Sequence, residues 1–216
     1  MPVSTSRPKP KGSIVYEIVI VILVIILVFT IWYPKKVWQQ LNKDEMLCRD
    51  RMQRVYDAEV LYNYKYGTYS DTLDSVMKYV KTDKIFTTDT VMAALRDTFY
   101  IKIYRDYLRD YANMHTLKAS DSAFKVVSDT TDTAKFKTIY AMLDSITHGP
   151  TVLRPYKITV VDTSAAKGLI IQCPIDSVDM AKQNSKFFFH VLAGGRLQNH
   201  GKIVNGEPSW IQIKRR

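Results

Sequence analysis

Two cysteines, Cys48 and Cys173, and four histidines, His115, His148, His190 and His200, are the soft-donor side chains of this 216-residue chain. Zinc sites usually gather such donors in closely spaced pairs. No two of these six residues stand that close, so the spacing predicts no metal site. Cys173-Pro174 lacks a nearby second cysteine, which leaves no CxxC redox pair. Two cysteines exclude a disulfide framework, and two readings stay open: one long-range bridge in an oxidising compartment, or two small core residues. The run Asp129-Thr130-Thr131-Asp132 carries carboxylates but lacks the Gly turn and terminal Glu of a calcium loop. Asn199-His200-Gly201 has turn composition and reads as a hairpin. No P-loop, G-x-S-x-G elbow or dinucleotide fingerprint occurs. The expectation is a protein that is not an enzyme and carries no cofactor.

The residue that does call for a chemical explanation is Glu17. It is the single charge in Ile14–Trp32, IVYEIVIVILVIILVFTIW. Nineteen residues at about 1.5 Å rise are long enough to cross the hydrocarbon core of a bilayer. A carboxylate in such a span costs a few kcal/mol unless it reaches water or finds a partner, which marks it as functional by default. The apolar run ends in Trp32, Tyr33, Pro34, Lys35 and Lys36, an interfacial flank and not the small residues of a signal-peptidase site. The span is therefore read as retained. Basic residues flank it almost equally, Arg7, Lys9 and Lys11 before it and Lys35, Lys36 and Lys43 after it. A short tail before a first span favours a cytoplasmic N-terminus, with the following domain on the periplasmic side of an inner membrane.

The leader ends Lys11-Gly12, and counting from Ser13 makes Glu17 the fifth residue and Pro34 the twenty-second. In these three positions the chain resembles the class III signal of type IV pilins and type II secretion pseudopilins. The resemblance implies cleavage after Gly12 and assembly through the helix, with Glu17 neutralised by the new amine of Ser13 on the same or a neighbouring subunit. Pro34 would remove the backbone bond to Thr30 and allow a bend at the membrane surface. Ser13 replaces the usual Phe or Met, and Ile14-Val15-Tyr16 follow the family's Thr-Leu-Ile only loosely. Further on, Ala58, Tyr62, Gly67-Thr68-Tyr69 and Leu73 are similar to the pseudopilin pattern. They also resemble uncharacterised single-span envelope proteins of the Bacteroidota with a comparable KYGxY turn. The similarity covers roughly residues 12–80. Major pseudopilins often bind calcium through C-terminal aspartates, but no Asp follows Asp179 here, so no calcium site is carried over.

These residues must be held by a recognisable set of elements. From Lys35 to Tyr66 neither Gly nor further Pro interrupts the chain, and Val37, Leu41, Cys48, Met52, Val55 and Tyr62 recur as one helical stripe. Joined to the span this makes a helix of about 53 residues, near 80 Å long, which Gly67 terminates. Residues 71–83 read as a short amphipathic helix capped by Asp71 or Ser70. Residues 88–113 read as a second helix with Tyr100, Tyr104, Tyr107 and Tyr111 among Arg and Asp, a solvated face with i,i+4 pairs. Ser120 to Lys137 is polar and reads as a loop. PYKITVVD, GLIIQCPID, KFFFHVLAGG and PSWIQIKRR have strand composition, with Gly194-Gly195 and Asn205-Gly206 as turns.

The predicted class is α+β, a long N-terminal helix packed on three to five antiparallel strands. The boundaries are a basic leader 1–12, a transmembrane helix 13–34 and a soluble domain 35–216. That domain divides into the helix continuation 35–66, a helical and loop insert 71–150, and a sheet over 155–216. Of 31 basic and 21 acidic residues, 28 and 20 lie beyond the span, so the soluble part is near +8. Such a charge favours anionic lipid or acidic partners. No basic stripe or recognised fold supports nucleic-acid binding. The functional expectation is a pilin-like or pseudopilin-like structural subunit of an envelope filament or secretion apparatus. Its partners would be copies of itself or related subunits, inner-membrane assembly machinery and the lipid bilayer. The alternative is an uncleaved, signal-anchored envelope scaffold.

Overall fold

The structure, a computed structural model, describes residues 14–115, 133–162, 167–186 and 191–211. Helix α1 runs unbroken from Ile14 to Tyr66, 53 residues, through Pro34. Its first half is apolar around the whole circumference, and Ile14–Trp32 are exposed on every face. This is one helix long and apolar enough to cross a membrane. At its far end Gly67 takes φ +69 and donates its N–H to the Asn63 carbonyl at 2.8 Å. That left-handed residue ends the helix as expected.

The second half of α1 lies between two layers. α2 (Leu73–Thr82), α3 (Ile85–Thr88), α4 (Thr90–His115) and α5 (Thr133–Ser145) form one of them. Ala58 and Leu61 of α1 join Val76, Val80, Phe99, Ile103 and Leu143 in its core. The other layer is a four-stranded antiparallel meander: β1 (Lys157–Asp162), β2 (Lys167–Gln172), β3 (Lys202–Val204) and β4 (Glu207–Pro208), with α6 (Ser177–Lys186) between β2 and β3. Cys48, Met52 and Val55 of α1 pack there on Leu169, Ile171 and Ile203. The stripe predicted for α1 is buried at Val37, Cys48, Met52 and Val55, while Leu41 and Tyr62 are partly covered. The fold is α+β, as the sequence predicts.

Ion pairs lock α4 onto α1 beside these cores: Arg54 Nε meets Asp106 Oδ2 at 2.6 Å, and Arg109 Nη2 meets Asp50 Oδ2 at 2.6 Å. The Arg and Asp interleaved along α4 therefore serve in part to hold two helices together.

Several local expectations are corrected. Neither Ser70 nor Asp71 caps α2: Ser70 Oγ accepts from the Thr72 N–H at 3.1 Å, and Thr72 occupies the cap position. The Thr72 hydroxyl donates to Ser75 Oγ at 2.9 Å and does not accept from a backbone N–H of the helix. The helix expected over 88–113 is α4, shifted by two residues, because Asp89 closes α3 and then caps α4 by accepting from the Val91 N–H at 2.8 Å. Residues 133–137, expected in a loop, open α5, and residues 116–132 lie outside the described residues. Of the strand expected at 186–195, residues 187–190 lie outside the described residues, Lys186 ends α6, and the backbone at 191–192 is helical. A reciprocal cap starts α6: Asp176 Oδ1 accepts from the Asp179 N–H at 2.9 Å and Asp179 Oδ2 from the Asp176 N–H at 3.1 Å. PSWIQIKRR contributes only Pro208 to a strand, and residues 212–216 lie outside the described residues.

Candidate functional site

Of the residues singled out for assembly, Gly12 and Ser13 lie outside the described residues. Glu17 stands in the first turn of α1 and is exposed. Pro34 lies seventeen residues further along the same helix, so the structure places the two on one rod and not in one site. Around Pro34 a groove of about 550 Å³ is lined by Ile25, Phe29, Tyr33, Leu192 and Ala193. Trp38 fixes the turn that borders it, donating its Nε1–H to the Ala193 carbonyl at 2.9 Å. Gly194 is tied to that contact, since a Cβ there would come within 2.9 Å of the same indole nitrogen. At the edge of the span the Lys36 ammonium sits 3.8 Å from the Trp32 ring centroid. Aromatic and basic side chains thus meet where a helix would leave a bilayer.

A second constellation was not visible as a sequence pattern. The Cys48 thiol donates to the Cys173 sulfur at 3.7 Å, across 125 residues of chain, and both side chains are buried. His200, 6% exposed, completes the group, and the ligand-grade atoms of all three residues lie within 4.8 Å of one another. Spacing predicted no such cluster, because its members come from three separate elements. Cys48 is carried by α1 on the stripe that faces the sheet. Cys173 directly follows β2. Its N–H donates to the Gly201 carbonyl at 3.1 Å, which draws the segment before β3 alongside. Asn199 pins that segment by donating to the Ile175 carbonyl at 2.6 Å and accepting from the Gly201 N–H at 2.9 Å. Arg49 donates to the His200 carbonyl at 3.2 Å, and Arg154 to the Pro174 carbonyl at 3.0 Å. Arg154 is itself held by Asp176 and Asp179.

The surroundings of the sulfurs are polar on one side and apolar on the other. Tyr156 Oη lies 3.2 Å from the Cys48 carbonyl and 3.6 Å from its sulfur. Burial pushes the Tyr156 hydroxyl far above its ordinary range, so it remains a donor. The two thiols are shifted in opposite directions. Their mutual hydrogen bond raises Cys48, and burial raises it further. The same bond lowers Cys173, aided by the His200 ring and the backbone N–H groups of Ile175 and His200, against burial. Cys173 is therefore the sulfur that the site prepares to carry negative charge. His200 Nδ1 is buried without a hydrogen-bond partner. The residue also borders a solvent cleft of about 250 Å³ with Trp38, Glu45, Gly194 and Arg196.

No protein-family model matches the chain, and no curated protein or solved structure matches it either.

Proposed function

We propose that this chain is a pilin-like or pseudopilin-like structural subunit, held by one membrane span and assembled with copies of itself or related subunits through the first half of α1. The observation that carries the reading is the division of one continuous helix. Ile14–Trp32 are bare on all faces, whereas beyond Val37 the same helix is packed between the sheet and the helical layer. Apolar surface of that extent must be covered by lipid or by other helices. Glu17, the one charge in that surface, supplies a polar feature that a neighbouring subunit could pair. In this reading the N-terminus is cytoplasmic, the domain after Lys35 is periplasmic, and inner-membrane machinery processes the leader after Gly12.

A second reading, an uncleaved signal-anchored scaffold, is favoured by one feature of the fold. Helices α2, α4 and α5 cover the face of α1 that the sheet leaves open. Helix-to-helix assembly would then be confined to the membrane half. N-terminal sequencing of protein extracted from membranes, together with crosslinking between cysteines placed singly in Ile18–Phe29, separates the two. A mature chain starting at Ser13 and a ladder of self-crosslinks supports the subunit. An intact leader and monomeric chains leave the scaffold.

A further inference from the structure

We propose that Cys48, Cys173 and His200 form a binding site for a thiophilic divalent cation of the zinc class, joining helix α1 to the sheet. Three observations carry this. The first is distance. Sulfurs bound about 2.3 Å from a tetrahedral centre stand about 3.8 Å apart across the edge. The two sulfurs here are 3.7 Å apart, whereas a disulfide needs about 2.05 Å. The second is the third donor. A thiol pair alone would be explained by its own S–H···S bond, but the His200 imidazole closes the group to within 4.8 Å and keeps a buried Nδ1 with no partner. An unsatisfied buried nitrogen carries a desolvation cost that a metal bond made through Nδ1 would remove. The third is the outer layer. The Tyr156 hydroxyl faces the Cys48 sulfur at 3.6 Å, so that ligand is oriented from behind.

The chemistry of the donors selects the ion. Thiolates and imidazole disfavour magnesium, calcium and manganese, which prefer oxygen. Two thiolates, a neutral imidazole and a divalent ion sum to zero charge, which suits a buried site; a monovalent ion would leave one negative charge uncompensated. Binding releases the thiol protons to solvent, and the cleft beside His200 gives an entry path. Three protein donors leave a fourth position for water. The ion and a disulfide are mutually exclusive uses of the same two sulfurs.

The test uses the full chain in detergent, reduced and stripped of metal, with cobalt(II) as the probe. One equivalent should give a thiolate-to-cobalt charge-transfer band in the near ultraviolet, and equimolar zinc should displace it. Zinc should also protect both cysteines of the wild-type chain from maleimide, a readout that needs no variant. Cys173→Ser and Cys48→Ser should each lower zinc affinity at least a hundredfold, and His200→Gln at least tenfold. Absence of the band in wild type, or full affinity in Cys173→Ser, would overturn the assignment. So would a Cys48–Cys173 disulfide in chains alkylated directly in cells.

Discussion

One carboxylate oxygen of Glu59 accepts a hydrogen bond from the Ser70 N–H at 3.0 Å, while the other is buried without a partner. The contact fastens the Gly67–Ser70 turn to the end of α1, and no surface of Glu59 reaches solvent. Burial pushes its carboxyl up to about 7 from an ordinary 4.5; the Ser70 bond opposes the rise and Asp71 adds to it. Between those two values the folded state binds more protons than the unfolded one. Stability from this group is therefore complete below about pH 4.5 and is lost as the pH rises through about 7. The full effect is on the order of 3 kcal/mol. Glu59→Gln keeps an acceptor for Ser70 and removes the titration. We expect the melting temperature of wild type, measured relative to Glu59→Gln, to fall by several degrees from pH 5 to pH 8. A constant difference across that range would show that the carboxylate is hydrated.

Val55 tests the packing of α1 on the sheet. Its side chain is fully buried in the cluster with Met52, Leu169 and Ile171. Burying a valine contributes about 1.5–3 kcal/mol, and an aspartate in its place would add an unpaired charge. Val55→Asp should therefore unfold the domain, while Val55→Ala should cost on the order of 2 kcal/mol by leaving a cavity. Thermal denaturation of the full chain decides the matter, and an unchanged melting temperature for Val55→Asp would refute this packing.

That stripe was legible because its period is local: residues three, four and seven apart share a helix face whatever lies opposite. The Gly67 stop and the Asn205-Gly206 turn were legible for the same reason, since a left-handed backbone demands particular residues. At 186–195 composition suggests a sheet, yet among the described residues Lys186 closes the helix that Asp176 and Asp179 start, and 191–192 are helical. Phe187, Phe188 and Phe189 lie outside the described residues. The Cys48, Cys173 and His200 cluster was beyond reach, because no short spacing links residues that only the pairing of β2 with β3 and the docking of α1 bring together. Glu59 was likewise unremarkable in sequence, one acid on a helix rich in charge.

The β3–β4 hairpin offers a sharper test of local geometry. Asn205 and Gly206 take φ +51 and +88, the left-handed pair of a tight turn. A Cβ on Gly206 would come within 2.8 Å of the Tyr56 hydroxyl, so Gly206→Ala combines backbone strain with a clash. A loss of about 2 kcal/mol is expected. Asn205 Oδ1 also accepts from the Leu169 N–H at 2.8 Å, coupling the turn to β2. Asn205→Gly keeps the backbone freedom and deletes that bond, so its expected loss is about 1 kcal/mol. Denaturant titration should rank wild type above Asn205→Gly and Asn205→Gly above Gly206→Ala. Equal stability of wild type and Asn205→Gly would show that the Leu169 contact contributes nothing.

Glu17 decides between the two functional readings. It sits one turn into a span that no described element covers, and its carboxylate has two ways to avoid the cost of hydrocarbon. In an assembled subunit it would be paired with the Ser13 amine, and an unpaired charge there would cost several kcal/mol, so pairing would check the register between subunits. In an isolated anchor it would reach the headgroup region, where the helix N-terminus also favours it. Glu17→Ala makes the span more apolar, so membrane insertion and the melting of the packed domain should match wild type in both cases. Assembly is what separates them. For a pilin-like subunit, co-purification of tagged and untagged copies should collapse in Glu17→Ala. In Glu17→Asp, whose carboxylate is one methylene short of its partner, it should be intermediate. Wild-type co-purification in both variants would mean that Glu17 only reaches water, and the span would then be an anchor rather than an assembly helix.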